Sequence, residues 1–132
     1  MESYLLDTCA VIKLLNETYS AQAILSLSQI IDQSTPILSF ITKNELLCWN
    51  SPNPNDLKFL NEFVDRSTIL MMNEPIINHT IMIRYESNYK IKLPDAIIAA
   101  TVLVNNYTLV SDNEKDFITI PKLKLLNPKM IV

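Results

Sequence analysis

The stretch LPDAIIAATVLVNNYTLVS, residues 93–111, decides the predicted fold of this chain. Residues 94–105 are apolar nearly all round, which is typical of a helix buried in the centre of a protein. The pair Asn105-Asn106 follows at a position where asparagine commonly forms a left-handed helix cap. Residues 108–111 then predict a strand, so we expect a central helix to lead directly into a sheet.

The same alternation of helices and strands extends outward over the rest of the chain. Further strands are predicted at residues 3–6, 36–41, 68–72 and, at an edge, 123–126; further helices are predicted at 10–15, 20–33, 42–49, 56–64 and 74–89. Strands that alternate with helices favour a parallel sheet covered on both faces. We therefore expect a three-layer α/β/α sandwich with a central, mostly parallel sheet of four to five strands.

Composition limits the function classes that the chain can belong to. Its 132 residues, 48% of them hydrophobic, suit one core, so we expect a single domain over residues 1–132. Because the sequence has no glycine, glycine-rich phosphate loops are excluded. The longest apolar run is far shorter than the roughly 20 residues of a membrane helix. With no signal peptide pattern at its start, the protein is expected to stay in the cytoplasm, away from membranes.

Charge and cysteine content exclude two further classes. The net charge of −3 argues against a general nucleic-acid coat protein, which would neutralise phosphates with Lys and Arg, although it does not exclude a nuclease. Two cysteines are too few for a disulfide framework, and with a single histidine they lack the spacing of a zinc site. Cys9 has no sequence pattern that supplies a histidine or asparagine partner, so nucleophilic catalysis by its thiol is not expected.

Three carboxylates fall where a strand or its loop is predicted to give way to a helix. They are Asp7 in Leu-Leu-Asp-Thr, Glu45 in Thr-Lys-Asn-Glu-Leu and Asp95 in Leu-Pro-Asp-Ala. Parallel sheets bind ligands beyond the carboxyl ends of their strands, so we expect these acids to meet at one edge. Carboxylates that lie close together need a cation, and an all-oxygen ligand set suits Mg²⁺ or Mn²⁺. The pattern predicts a divalent metal site and indicates phosphate chemistry.

Each of these acids also has a purely structural explanation. Thr42-x-x-Glu45 matches a capping box, Pro94-Asp95 is a standard helix opening, and Asp7 is placed to cap the first helix. Taken singly, each acid is better explained as a helix cap, because acids stabilise helix N-termini. Their occurrence together favours a shared site, since a buried charge without compensation is costly.

A second acidic segment follows the strand predicted at residues 108–111. Asp112 and Asp116 are both candidates for a fourth acid, and the alternative for either is a place in a polar turn. The candidates for binding the substrate, or for orienting a ligand, are Ser111, Asn113 and Thr8.

Four blocks of this sequence, in their order and spacing, resemble the PIN-domain nucleases, and most closely the VapC-type toxins. The blocks are residues 5–8, 41–47, 93–101 and 108–117, and the likeness runs from Tyr4 to Asn127. The resemblance implies a Mg²⁺- or Mn²⁺-dependent endoribonuclease, a hydrolase that cleaves RNA phosphodiester bonds to leave a 5′-phosphate and a 3′-hydroxyl. Such proteins are usually toxins of type II toxin–antitoxin pairs, silenced by a VapB-like antitoxin, and commonly form homodimers. The apolar helices between Asp56 and Tyr89 are the expected dimer face.

The resemblance also implies roles for individual residues. Asp7, Glu45 and Asp95 match the acidic positions of the family, and the fourth acid maps onto Asp116 or Asp112. The metal would be held by Asp7, Asp95 and Asp116.

Other functions compete with this interpretation. An aspartyl-phosphate receiver wants an Asp-Asp pair near its first strand, which is missing here, and an Asp-x-Asp phosphatase needs an acid where Cys9 stands. The remaining alternative is a non-catalytic PIN-like module that binds a partner or RNA without cutting it. Divalent metal binding distinguishes the two, because a scaffold has no need of a metal site.

Overall fold

A computed structural model describes residues 2–131 of the chain. Its strands are β1 (Tyr4–Leu6), β2 (Ile37–Ser39), β3 (Thr68–Leu70), β4 (Thr108–Val110) and β5 (Leu125–Leu126). Its helices are α1 (Thr8–Leu15), α2 (Ala21–Gln33), α3 (Phe40–Leu47), α4 (Pro54–Arg66), α5 (Glu74–Glu86), α6 (Leu93–Asn105) and α7 (Glu114–Phe117), followed by a 3₁₀ turn at Pro128–Met130.

Within the described residues, the strands form one five-stranded parallel sheet in the order β3-β2-β1-β4-β5. The first strand of the chain therefore lies in the middle, with Leu5 in register with Ile37 on one side and with Leu109 on the other. Since all the strands run the same way, their carboxyl ends share one edge. The parallel sheet and the edge strand predicted from the sequence are both confirmed.

Alternate side chains of the central strand divide the core into two layers. Leu5 packs on one face of the sheet with residues of α5 and α6, including Ile98. Leu6 packs on the other face with residues of α1 and α4, including Val11 and Leu60. Helices thus cover both faces, and the predicted three-layer α/β/α arrangement is confirmed.

Helix α6 is the central helix that the sequence predicts. Seven consecutive residues, from Ala96 to Val102, are buried, and the hydroxyl of Thr101 donates to the Ile97 carbonyl at 2.7 Å, so this polar side chain is satisfied inside the core. Asn106 ends the helix in the left-handed conformation, with φ 56° and ψ 43°, as predicted. Since α6 leads into β4, its first turn lies at the edge of the sheet where the strands end.

Two local predictions need correction. Helix α3 begins at Phe40, because the Ser39 hydroxyl accepts from the Ile41 amide at 3.3 Å and caps the helix two residues earlier than expected. Thr42 is therefore inside the helix and buried, so the capping box predicted for Thr42 and Glu45 is wrong. The polar turn given as the alternative explanation for Asp116 is also wrong, because Asp116 lies in the short helix α7.

The sequence predicts no membrane-spanning helix, and the length and hydropathy of the observed helices can be examined for one. Among residues 2–131, no helix combines the length and the apolar character needed to cross a bilayer.

Candidate active site

Asp7 is the first polar residue beyond the central strand and is fixed from three sides. Its own amide donates to the Val110 carbonyl at 3.0 Å, which continues the pairing of β1 with β4 by one residue. Its Oδ1 accepts from the amide of Thr8 at 2.6 Å, so Asp7 is the N-cap of α1, as its sequence position allows. Its Oδ2 accepts from the hydroxyl of Ser111 at 2.7 Å. This buried carboxylate, only 6% exposed, is therefore held in one orientation.

Ser111 occupies the matching position at the end of β4 and is fully buried. While its hydroxyl donates to Asp7, its oxygen accepts from the amide of Asn113 at 3.1 Å. Asn113 in turn donates from Nδ2 to Asp116 Oδ2 at 3.0 Å. A continuous chain of hydrogen bonds therefore runs from Asp7 through Ser111 and Asn113 to Asp116.

Glu45 reaches the same edge from helix α3. The hydroxyl of Thr8 donates to Glu45 Oε1 at 2.7 Å, although 37 residues separate the two in sequence. The Glu45 side chain is exposed, whereas Asp7 beside Thr8 is buried. The site thus has one anchored acid and one acid that faces solvent.

Asp95 lies in the first turn of α6, half-buried, and shows how close the acids are. Burial and then, in decreasing order, the negative charges of Asp7, Asp116 and Glu45 together raise the pKa of its carboxyl to about 6, against a weaker opposing effect of Lys92. Such coulombic influence requires that the four carboxylates share one neighbourhood. A divalent cation would relieve this repulsion.

Asp112 differs from the other candidate acids, because its carboxylate contacts two lysine side chains. Lys13 Nζ lies 2.5 Å and Lys129 Nζ 3.8 Å from its Oδ2, which also accepts from the hydroxyl of Tyr19 at 3.1 Å. Burial raises the pKa of Asp112, but the hydrogen bonds from Lys13, Cys9 and Tyr19 outweigh it, so the net pKa lies below the ordinary range. Among the ion pairs of residues 2–131, those at Asp112 are the ones that involve a candidate acid.

Cys9 lies between two of the acids. Its Sγ is 3.4 Å from Asp7 Oδ2 and 3.4 Å from Asp112 Oδ1. Burial, followed by the charges of Asp7 and Asp112, raises the pKa of the thiol to about 12. The thiolate is the nucleophilic form of cysteine, so this environment disfavours covalent catalysis.

An open hollow of about 500 Å³ at this edge brings most of the predicted residues together. Its lining residues are Asp7, Thr8, Cys9, Ile12, Glu45, Asp95, Asp112 and Asn113. Ser111 is buried behind this surface. Asp116 acts on the hollow indirectly, because its charge raises the pKa of Asp95 and its Oδ2 accepts a hydrogen bond from Asn113. The residues that the sequence did not predict are Lys13 and Tyr19, which lie 99 and 93 residues from Asp112 in the chain.

The donor atoms at this edge suit a hard divalent cation. They are carboxylate oxygens that repel one another, and Mg²⁺ and Mn²⁺ prefer such oxygen ligands. Within residues 2–131, however, no three acidic, histidine or cysteine side chains converge closely enough to hold an ion as they stand. The chemistry of the donor set therefore fits a metal, and side chains such as the exposed Glu45 would have to close around it.

Comparisons with known proteins agree with this architecture. The PIN domain family matches residues 4–123. No curated protein matches the sequence significantly.

Solved structures resemble almost the whole chain. DNA-bound VapBC from Salmonella typhimurium is 23% identical, with a TM-score of 0.80 over 97% of this chain and 99% of that one. VapBC2 from Rickettsia felis, bound to a promoter DNA fragment, is 25% identical, with a TM-score of 0.78 over 94% and 97%. VapBC-1 from nontypeable Haemophilus influenzae is 26% identical, with a TM-score of 0.76 over 95% and 97%. These structures share the fold described above.

Proposed function

Because this chain belongs to the PIN domain family, we propose that it is a Mg²⁺- or Mn²⁺-dependent endoribonuclease and the toxin of a VapBC-type toxin–antitoxin pair. The observation that carries this proposal is the hollow at the sheet edge that Asp7, Glu45 and Asp95 line together, where crowding by the other carboxylates, Asp116 included, raises the pKa of Asp95. Mutual repulsion of this kind destabilises the protein unless a cation joins the acids. Groups with shifted pKa values concentrate at functional sites for this reason.

The metal would be held by Asp7, Asp95 and Asp116, with Glu45 completing the acidic set. When bound, a divalent ion lowers the pKa of a water molecule and neutralises charge on a scissile phosphate. We assign the fourth position to Asp116, because its described partner is the neutral amide of Asn113. The carboxylate of Asp112 is already matched by Lys13.

The remaining residues prepare these acids for the reaction. The Ser111 hydroxyl and the Thr8 amide use both oxygens of Asp7 and leave the carboxylate little rotational freedom. The Thr8 hydroxyl restrains Glu45 from the opposite side of the hollow. Catalytic groups need such support, because a displacement of about 1 Å can lower a rate by about 10²-fold.

We propose that RNA enters the open hollow, where Thr8 and Asn113 line the surface. Hydroxyl and amide side chains bind phosphate and sugar oxygens without sequence preference. Ser111 is buried and its hydroxyl donates to Asp7, which suits it to orienting that acid. Hydrolysis would leave a 5′-phosphate and a 3′-hydroxyl, and we place this reaction in the cytoplasm.

Two protein partners belong to the same proposal. The similar structures from Rickettsia felis and Haemophilus influenzae are VapBC complexes, which supports a VapB-like antitoxin for this chain. A homodimer is supported by the exposed apolar side chains of α5, since Ile81 is 60%, Met82 50% and Tyr85 70% exposed. Exposed apolar patches of this kind mark protein interfaces.

Calorimetric titration of Mn²⁺ into the purified protein tests the metal site before the natural RNA is known. We expect saturable binding that is lost in Asp95→Asn and kept in Asp32→Asn, which removes an exposed acid of α2 as a matched control. Cleavage of RNA in Mn²⁺ that stops on chelation and in Asp95→Asn would then establish the activity. A folded wild-type protein that binds no Mn²⁺ would instead favour the non-catalytic module.

A further inference from the structure

The carboxylate of Asp112 uses both of its oxygens inside the protein. Oδ2 accepts from Lys13 at 2.5 Å and from Tyr19 at 3.1 Å, and Oδ1 accepts from the Cys9 thiol at 3.4 Å. Its side chain is 6% exposed, and its charge is matched by the ammonium group of Lys13. To ligate a metal, Asp112 would have to give up a part-buried ion pair and two further hydrogen bonds.

Two of these partners share one face of helix α1. Cys9 and Lys13 are four residues apart, so their side chains lie one above the other on the helix. Asp112 therefore spans the first full turn of α1 and fixes that helix against the end of β4. The N-cap of the same helix is Asp7, whose Oδ1 depends on the Thr8 amide in the first turn.

The neighbouring residue holds Asp7 directly, through the 2.7 Å hydrogen bond from the Ser111 hydroxyl. Two neighbouring residues thus restrain the Asp7 carboxylate. Ser111 does so directly through its hydroxyl, and Asp112 does so indirectly through its contacts with helix α1. We propose that Asp112 is a positioning residue that acts through Lys13 and α1 on Asp7 and does not ligate the metal. This inference rests on the proposed function of the site.

Mn²⁺ titration of a small set of variants tests the proposal. We expect Asp112→Asn to weaken Mn²⁺ binding about tenfold while keeping it saturable, as is typical when a residue that supports a metal ligand is changed. Lys13→Met should give a similar loss. The double variant should bind no more than about twofold more weakly than either single variant, because coupled residues are not additive. Asp95→Asn should abolish binding.

Lys129→Met is the matched control. This lysine contacts the same Asp112 oxygen at 3.8 Å but is 59% exposed, whereas Lys13 is 30% exposed. Exposed ion pairs contribute little, so Mn²⁺ affinity should stay within about twofold of wild type. Thermal unfolding of each variant, measured in parallel, separates a loss of stability from a loss of metal affinity.

The other outcomes overturn the proposal in recognisable ways. Abolished binding in Asp112→Asn would make Asp112 a ligand, and unchanged affinity with lowered stability would make it a purely structural residue. Additive losses in the double variant would show that Asp112 does not act through Lys13. If wild-type protein binds no Mn²⁺, the proposed function fails and this inference fails with it. If wild-type protein binds Mn²⁺ but the Asp112 and Lys13 variants do not show the expected affinities, this inference alone is wrong.

Discussion

The hydroxyl of Ser111 donates to Asp7 Oδ2 across 2.7 Å in a buried position, and thereby joins the ends of the two central strands, β4 and β1. The same hydrogen bond holds Asp7, one of the candidate metal ligands, in place. Pairing of β1 with β4 brings the two residues together, and their hydrogen bond turns that pairing into a fixed orientation of a carboxylate. Stability and site geometry therefore depend on one contact.

Removal of the Ser111 hydroxyl should destabilise the protein. Ser111→Ala leaves a buried carboxylate oxygen without its closest donor, which costs about 1–3 kcal/mol of unfolding free energy. Urea denaturation of the metal-free protein measures this loss. Ser34→Ala is a suitable control, because Ser34 is exposed and donates only to the Ile30 carbonyl, so its change should stay within about 0.5 kcal/mol. Equal effects of the two variants would contradict the role assigned to Ser111.

The pH dependence of stability should reveal the crowding at Asp95. Its pKa of about 6 lies above its ordinary value of 3.8, so the folded state binds a proton more tightly than the unfolded chain. This group therefore stabilises the metal-free protein increasingly as the pH falls from about 7, through its folded pKa of about 6, to its ordinary pKa of 3.8, and Asp95→Asn should remove that contribution. Thermal unfolding in the presence of a chelator, repeated across this pH range, measures the stability of wild-type protein and of the Asp95→Asn variant. An identical pH profile in the two proteins would count against the crowding.

Glu45 offers a way to change the charge of the site without disturbing its core. Its side chain is exposed, so Glu45→Gln should alter the free energy of unfolding by no more than about 0.5 kcal/mol. Because the charge of Glu45 raises the pKa of Asp95, the substitution should lower that pKa from about 6. Carboxyl carbon shifts followed by NMR during a pH titration would measure the change. Glu17→Gln, at another exposed position, should leave the Asp95 titration where it is.

The two cysteines should differ in reactivity. Cys9 is partly buried and its pKa is raised to about 12, whereas Cys48 is exposed at the end of α3. Alkylation by iodoacetamide at about pH 8 should therefore modify Cys48 in the folded protein and spare Cys9, because the thiolate is the reactive form. Peptide mass spectrometry identifies the modified residue. In denaturant both should react; rapid labelling of Cys9 in the folded protein would be inconsistent with the structure.

The sequence predicts the fold well because its signals are local. Residues 94–105 are apolar nearly all round, which is typical of a buried helix, and Asn106 occupies the left-handed position that ends it. Helix α3 shows where local reasoning fails. The capping pattern at Thr42 and Glu45 was a plausible start, yet the Ser39 hydroxyl at the end of β2 begins the helix earlier. Two competing caps cannot be ranked without knowing where the strand ends.

The sequence predicts which acids gather at the candidate site. It does not predict the side chains that form hydrogen bonds and ion pairs with them. A parallel sheet places Asp7 and Asp95 at one edge whatever the details of packing, so the topology alone brings them together. The different environments of Asp112 and Asp116 depend on Lys13, which is 99 residues from Asp112 in the chain. The spacing of Cys9 and Lys13 on one helix face was visible in the sequence. Nothing in the sequence indicated which acid that face would meet.

The position of β1 in the sheet also fixes when the site can exist during synthesis. Ser111, the buried partner of Asp7, is made 104 residues after it. Until β4 emerges, the central strand β1 lacks its neighbour on one side, and long-range pairing of this kind forms late in folding. Asp7 therefore cannot take its fixed orientation until Ser111 has been made. The order of the strands therefore delays assembly of the acidic edge until β4 has been synthesised.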